Sequence, residues 1–274
     1  MVRDGQTTKV VILARGLGRR MRADNPGVPL APEQKTVAET GVKAMIPVGR
    51  PFLDYVLSEV ADAGYREVCL VIGPEHSSIR RYYGSDVKPS RIRIEFAEQI
   101  EALGTADAVL AAESFAGDNL FVVLNSDNYY PAAALTALRD LGEPGLVGFE
   151  QEALIELGNV PADRVARFGA LDIDGEGYLR RILARPDEEM IRAGKPIYSS
   201  LNCWVFGRAI FRACREVALS PRGEMELPRA VQLAIDNRYV RFRTITMRAP
   251  VLDLSSRADI QAVSERLRTV EVSL

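Results

Sequence analysis

Short β-branched apolar runs such as residues 10–14 and 68–72 alternate along the chain with stretches whose apolar residues recur at helical spacing. Continuous runs of this kind are typical of strands covered on both faces. Their alternation with amphipathic segments is the pattern of βαβ units around a mainly parallel sheet. Residues 9–13 form the first run. Residues 51–63 place Phe52, Leu53, Val56, Leu57 and Val60 on one helical face, with Pro51 near the start and Gly64 just past the end. Residues 92–96 alternate as a strand with one exposed face, residues 105–113 read as the next helix, and residues 120–124 as another buried strand. The stretch 23–40, with Pro26, Pro29 and Pro32, reads as a long loop excursion.

After Pro131 the spacing changes. A helix at 132–141 is followed by strand-like segments at 145–149, 166–173, 178–183 and 199–206, more antiparallel in character, two of them joined by a hairpin turn at Asp174-Gly175-Glu176-Gly177. Helices near 225–235 and 257–267 flank a last strand near 240–245. The expected fold class is therefore α/β: a Rossmann-like, mainly parallel mixed sheet flanked by helices, with a smaller strand-rich lobe. No repeat, low-complexity tract or Ser/Gly linker divides the chain, so a single domain over residues 1–274 fits best.

Composition excludes several classes of function. The net charge is −2 and no long run of like charge occurs, which argues against nucleic acid as a partner. No apolar run approaches the roughly 20 residues of a membrane helix, so no membrane partner is expected. The polar stretch 1–9 lacks the apolar segment of a secretion signal, which points to a cytoplasmic chain. Cys69, Cys203 and Cys214 have no CxxC spacing and read as buried small hydrophobes.

Four constellations have the residue types for chemistry. Ala14-Arg15-Gly16-Leu17-Gly18-Arg19-Arg20-Met21 runs from a strand into a turn with two glycines and three arginines, a combination suited to phosphate. An ordinary tight turn with solvated arginines is the alternative, and a lone G-x-G does not decide between them. Lys43 is one of only five lysines in a chain that otherwise uses arginine, which invites a role as a compact phosphate contact, with an ordinary surface lysine as the alternative. Asp127 and Asp253 each follow a β-like run and together suit a hard divalent cation, although each taken singly reads equally as a turn or helix cap. Gln99, ahead of Gly104 and Thr105, carries an amide able to read a base edge, or it simply belongs to a loop before a helix. His76 reads as a helix cap or surface group, and Trp204 as core or as a sugar-stacking ring.

Taken together and in this order, these segments resemble the sugar-1-phosphate nucleotidyltransferases, the nucleotide-sugar pyrophosphorylase family typified by glucose-1-phosphate thymidylyltransferase. The family's G-G-x-G-[TS]-R is met by Arg15-Gly16-Leu17-Gly18-Arg19-Arg20, and its lysine segment by Lys43 through Pro47-Val48, followed by Arg50-Pro51 and Tyr55. Its E-K-P becomes Ala184-Arg185-Pro186, its late W-x-D becomes Val251-Leu252-Asp253, and the stretch between Arg20 and Lys43 is longer than usual.

The resemblance implies an Mg²⁺-dependent enzyme that condenses an NTP with a sugar 1-phosphate, or a related cyclitol 1-phosphate, into an NDP-sugar and pyrophosphate. Residues 9–130 would be the nucleotide half and residues 131–274 the sugar-phosphate half. By position, Ala14, Gly16, Gly18, Gln99, Gly104 and Thr105 would contact the nucleotide. Arg20, Lys43, Asp127 and Arg185 would be catalytic, Asp127 and Asp253 would hold the metal, and Gly169, Asn202 and Glu224 would meet the sugar. Relatives are often assembled, which implies a homodimer or homotetramer. Two other readings stay open: a regulatory paralogue that binds nucleotide without turnover, and a nucleotide-sugar glycosyltransferase. A dinucleotide oxidoreductase is disfavoured because the third glycine of G-x-G-x-x-G is missing.

Overall fold

The structure, a computed structural model, describes residues 6–23, 25 and 27–274. Met1 to Gly5 of the polar N-terminal stretch, and Asp24 and Pro26 of the excursion, lie outside the described residues. In chain order the strands are β1 (Lys9–Leu13), β2 (Glu67–Ile72), β3 (Arg93–Glu98), β4 (Phe121–Asn125), β5 (Asn128–Tyr129) and β6 (Gly145–Glu150). They continue as β7 (Ala170–Ile173), β8 (Leu179–Leu183), β9 (Tyr198–Ser199), β10 (Trp204–Phe206), β11 (Arg243–Met247) and β12 (Leu252–Asp253).

One eight-stranded sheet has the order β11-β6-β10-β4-β1-β2-β3, with β9 paired to β6. β4, β1, β2 and β3 run parallel, β10 runs against β4 and β6, and β11 runs parallel to β6. The second half of the chain thus contributes strands to the same sheet as the first. Among the described residues, only β7 with β8, and β5 with β12, form separate two-stranded pairs. Apolar cores fill both faces of the sheet: Phe52, Val56 and Val60 of helix Phe52–Asp62 pack on one side, and Ile210, Ala230 and Trp204 on the other.

The strand ends are in step, and this positions the site. Leu13 pairs with Val71 on one side and Asn125 on the other, so the segments after β1, β2 and β4 leave the same edge of the sheet. That carboxyl edge is where open α/β sheets place ligands.

Three local expectations are corrected. The 23–40 excursion contains a helix, Pro32–Thr40, because Pro32 can occupy the first turn and Gly41, at φ 77°, closes the last one. Residues 166–169 are not strand: a short helix, Ala162–Val165, and the turn after it precede β7. The expected strand 199–206 is cut into β9 and β10 by Leu201 and Asn202, which adopt left-handed φ values of 45° and 54°. The Asp174 hairpin joins β7 to β8, its carboxylate accepting from the Glu176 and Tyr178 amides. Trp204 is fully buried in the core, and all three cysteines are buried and free. Among the described residues no helix is long and apolar enough to cross a membrane.

Candidate active site

Two cavities open along the carboxyl edge of the sheet. The first, of about 530 Å³, is lined by the loop after β1, by Lys43, and by Gln99, Gly104 and Thr105 beyond β3. The second, of about 850 Å³, is lined by Gly169, Ile182 to Ala184, Ser199 to Asn202, and one side of helix Leu227–Asp236. They meet at Arg20, Asn125, Asp127, Asn202, Arg222 and Ser255, which belong to both walls.

The loop after β1 is shaped by close approaches. Gly18 has φ 58°, and a Cβ there would fall 2.1 Å from the Gly41 carbonyl oxygen, so only glycine lets the arginine loop lie against the end of helix Pro32–Thr40. Arg22 then donates to the Thr40 carbonyl at 3.0 Å, while buried Arg257 donates to the Met21 carbonyl at 2.9 Å. The excursion and the C-terminal region therefore brace the short helix Arg19–Arg22 on two sides. Arg19 and Arg20 are exposed, and their guanidiniums make no hydrogen bond or ion pair with any described residue. They are positive charges held at the cavity without a counter-ion among the described residues.

Lys43 lies at the start of a single 3-10 turn, Lys43–Met45, and its stem passes Gly16. Its ammonium pairs with Asp127 Oδ2. Asp127 follows β4, and its backbone carbonyl accepts from the Leu254 amide at 2.8 Å. Asp253 pairs in register with Asn128 across β5 and β12, which brings the two aspartates together. Burial first, and then the Asp127 charge, hold the Asp253 carboxyl above its ordinary range, against the opposing hydrogen bonds and charge of Ser255 and Arg164. Two adjacent oxygen donors, with no cluster of three or more His, Cys, Asp or Glu among the described residues, suit a hard cation that takes its other ligands from phosphate and water.

Further residues build the site without having been singled out by sequence reasoning. Arg164 Nη1 donates to Asp253 Oδ2 at 2.9 Å while its two terminal nitrogens grip Asp259, so one guanidinium holds both carboxylates. Asn125 links β4 to the loop between β9 and β10, donating to Asn128 Oδ1 at 3.0 Å and accepting from Asn202 Nδ2 at 3.1 Å. Asn tolerates the left-handed conformation at 202, but Leu201 does not favour it, so strain is stored at the junction of the two cavities. A left-handed leucine has no sequence signature. Arg164 offered none either, since its partners lie about ninety positions away.

Of the residues carried over by resemblance, Ala14, Gly16, Gly18, Gln99, Gly104 and Thr105 line the first cavity, as do Arg20, Lys43 and Asp127. Gly169, Asn202 and Asp253 line the second. Glu224, expected on the sugar side, lines the first cavity instead, because Met225 is bound to the Gly104 loop: its amide donates to the Leu103 carbonyl and its carbonyl accepts from Ala106. Thr105 also has a structural duty, its hydroxyl accepting from the Leu227 amide at the start of helix Leu227–Asp236. Ala184 lines the second cavity, whereas its neighbour Arg185 is exposed and lines neither. Of the two readings of His76, helix cap or surface group, the first holds: it is buried at the N-cap position of helix Ser77–Arg81, and its Nδ1 accepts the Gly73 amide at 3.1 Å.

A model of the family described as "Nucleotidyl transferase" matches residues 9–249. The chain belongs to that family. It is 30% identical over 230 residues to a glucose-1-phosphate thymidylyltransferase of Streptomyces antibioticus, covering 84% of this chain and 58% of that protein. It is 28% identical over 233 residues to the low-salt glycan biosynthesis nucleotidyltransferase Agl11 of Haloferax volcanii, again covering 84% and 58%. The chain thus spans somewhat over half the length of these two relatives. Against the UTP--glucose-1-phosphate uridylyltransferase AglF of Haloferax volcanii, identity is 26% and 83% of each chain is covered. Among solved structures, a UDP-glucose pyrophosphorylase complexed with UDP-glucose shares the fold with a TM-score of 0.72 at 17% identity, covering 97% of this chain and 100% of that one.

Proposed function

We propose that this chain is a nucleotidyltransferase that condenses an NTP with a sugar 1-phosphate, or a related cyclitol 1-phosphate, into an NDP-sugar and pyrophosphate. The observation that carries this reading is the meeting of two cavities at Arg20 and Asp127. A reaction between two phosphate-bearing substrates needs one point that both can reach, and that point must carry charge to offset their repulsion. Two of the named relatives are a glucose-1-phosphate thymidylyltransferase and a UTP--glucose-1-phosphate uridylyltransferase, which supports the same class of acceptor here.

The smaller cavity takes the NTP and the larger one the acceptor, so that residues 9–130 and 131–274 act as two halves of a single unit. Gly16 and Gly18 let the loop backbone approach the triphosphate, while Arg19 and Arg20, free of carboxylate partners among the described residues, offset its charge. Lys43 pairs with Asp127; on nucleotide binding its ammonium would pass to phosphate and leave the carboxylate open to the metal. Asp127 and Asp253 would hold Mg²⁺, with Arg164 and Ser255 fixing the orientation of Asp253. When bound, that ion would offset the charge that develops on the phosphates. Arg185, exposed beside Ala184 of the cavity wall, would reach the acceptor phosphate only by turning inward. An acceptor oxygen then attacks the α-phosphorus in line and pyrophosphate leaves, with no protein nucleophile required.

Ala184 stands where the family carries a sugar-binding glutamate, so the acceptor is held by fewer carboxylates than glucose 1-phosphate usually meets. The test is pyrophosphate release with Mg²⁺ over a grid of five NTPs and a panel of sugar and cyclitol 1-phosphates. Release confined to particular pairs is expected. Silence across the grid despite NTP binding would replace this reading with a regulatory role.

A further inference from the structure

Arg15 occupies the position where the family's opening motif has its first glycine, and the phosphate chemistry above does not use it. Its side chain is only 8% exposed, yet it lines the smaller cavity. One nitrogen anchors it: Nη2 donates to the Ile100 carbonyl at 3.1 Å and to Glu75 Oε2 at 3.3 Å. Nε and Nη1, on either side of that anchor, are buried with no hydrogen-bond partner among the described residues. Buried donors are almost always paired, so two unpaired ones on a cavity wall call for an acceptor from outside the chain. The guanidinium lies over Gly73, where a Cβ would fall 2.3 Å from Nε, so the bare glycine makes room for it.

Gln99, the residue before Ile100, completes the pattern. It is 5% exposed, and its amide nitrogen gives both hydrogens to the protein, one to the Gly104 carbonyl at 3.0 Å and one to Asp107 Oδ2 at 2.7 Å. Both partners are obligate acceptors, so the amide cannot turn over. Oε1 is left as its open polar atom, and Gln99 therefore presents only an acceptor to the cavity.

The position along the sheet edge selects the part of the nucleotide that reaches these groups. Asp127 follows β4, the arginine loop follows β1, and Arg15 bridges to the ends of β2 and β3 at Gly73 and Ile100. A nucleotide whose phosphates lie near Asp127 and Arg20 puts its base at Arg15 and Gln99. We propose that Arg15 is a specificity-determining residue that, together with the Asp107-locked Gln99, selects a base carrying a ring N–H beside a carbonyl: uracil, thymine or guanine. An acceptor beside a donor on the protein matches that edge. Cytosine and adenine present the reverse order, a bare ring nitrogen beside an amino group, so each meets like with like.

This inference rests on the smaller cavity being the nucleotide site, and the test separates the two claims. UTP, dTTP, GTP, CTP and ATP are titrated calorimetrically, without acceptor, into wild type, Arg15→Met, Arg15→Lys and Asp107→Asn, with pyrophosphate release assayed on the same preparations. Wild type is expected to bind at least one of UTP, dTTP or GTP about tenfold or more tighter than CTP and ATP, the cost of mismatched hydrogen-bonding groups. Arg15→Met and Arg15→Lys lower that ratio towards one without lowering the melting temperature, since Arg15 leaves two donors unpaired in the fold. Asp107→Asn frees the Gln99 amide to turn and raises relative affinity for CTP. Preference for CTP or ATP in wild type, or an unchanged ratio in both Arg15 variants, overturns the inference while leaving pyrophosphate release intact. Base ranking without pyrophosphate release overturns the transferase reading and leaves this one standing, and a wild type that binds no NTP overturns both.

Discussion

Much of the smaller cavity's wall comes from strand ends of a single parallel edge, Ala14 after β1, Gln99 after β3 and Ser126 after β4, whereas the larger cavity is assembled from a hairpin, a left-handed turn and a helix far apart in sequence. Charge divides them less sharply. Of the cations that line only the smaller cavity, Arg19 has no carboxylate partner among the described residues, while Arg15 pairs with Glu75 and Lys43 with Asp127. Of those that line only the larger one, Arg229 has no carboxylate partner among the described residues, while Arg167 pairs with Asp163. Arg20, without a carboxylate partner among the described residues, and Arg222, paired with Glu226, belong to both walls, so a free charge stands where the cavities meet.

The largest effect should come where the two cavities join. Asp127→Asn should reduce pyrophosphate release to background while NTP binding persists in a calorimetric titration, and ordinary turnover in this variant would remove Asp127 from the reaction centre. Arg20→Ala should lower turnover by about 10³-fold, by analogy with arginine fingers. Its melting temperature should hold, since Arg20 is exposed and has no partner to lose among the described residues.

On the acceptor side the expected effect is on stability first. Arg164 is 15% exposed at its side chain and holds two carboxylates that are more buried still, so Arg164→Met strands both. Urea unfolding should show a loss of about 3 kcal/mol, together with weaker turnover as Asp253 loses its orientation. A variant as stable as wild type would mean that these carboxylates do not depend on Arg164.

The smallest effect is a pH slope set by His76, beyond the end of β2. Burial holds His76 below its ordinary value of 6.5. Between that lowered value and 6.5 the unfolded chain binds a proton that the folded chain does not, so stability rises with pH across the window and is flat in this group above it. In His76→Gln, whose amide oxygen can still accept the Gly73 N–H, unfolding followed between about pH 7 and 5 should show a shallower slope. An identical slope would place the acid-sensitive group elsewhere.

The same contrast explains what was legible in the sequence. The parallel half was readable because its signals are local: the apolar run before Ala14, the Phe52 to Val60 helical face and the run before Asp127 each lie within a single element. The acceptor side was not, because its determinants are long-range. Leu201 is forced into a left-handed turn by Tyr130 and Asn125, which hold the loop through the Leu201 carbonyl, and nothing at position 201 announces it. The resemblance implies a sugar-side Glu224, whereas the Met225 hydrogen bonds hold it in the wall of the smaller cavity. The excursion looked like loop because Pro26, Pro29 and Pro32 dominate its composition, yet Pro32 at a helix start is compatible with the helix that follows. The Arg15 nitrogens could be judged unpaired only once Gly73 and Ile100 were seen around them.

The central claim is that one reaction centre transfers the α-phosphorus of an NTP to an acceptor phosphate. Following the label from NTP carrying ³²P at either the α or the γ position tests it most directly, with Mg²⁺ and the acceptor that gives pyrophosphate release. The account predicts that the α label moves into the sugar product and the γ label into pyrophosphate. The γ label on the acceptor, or a sugar moved with no NTP phosphorus attached, would contradict it.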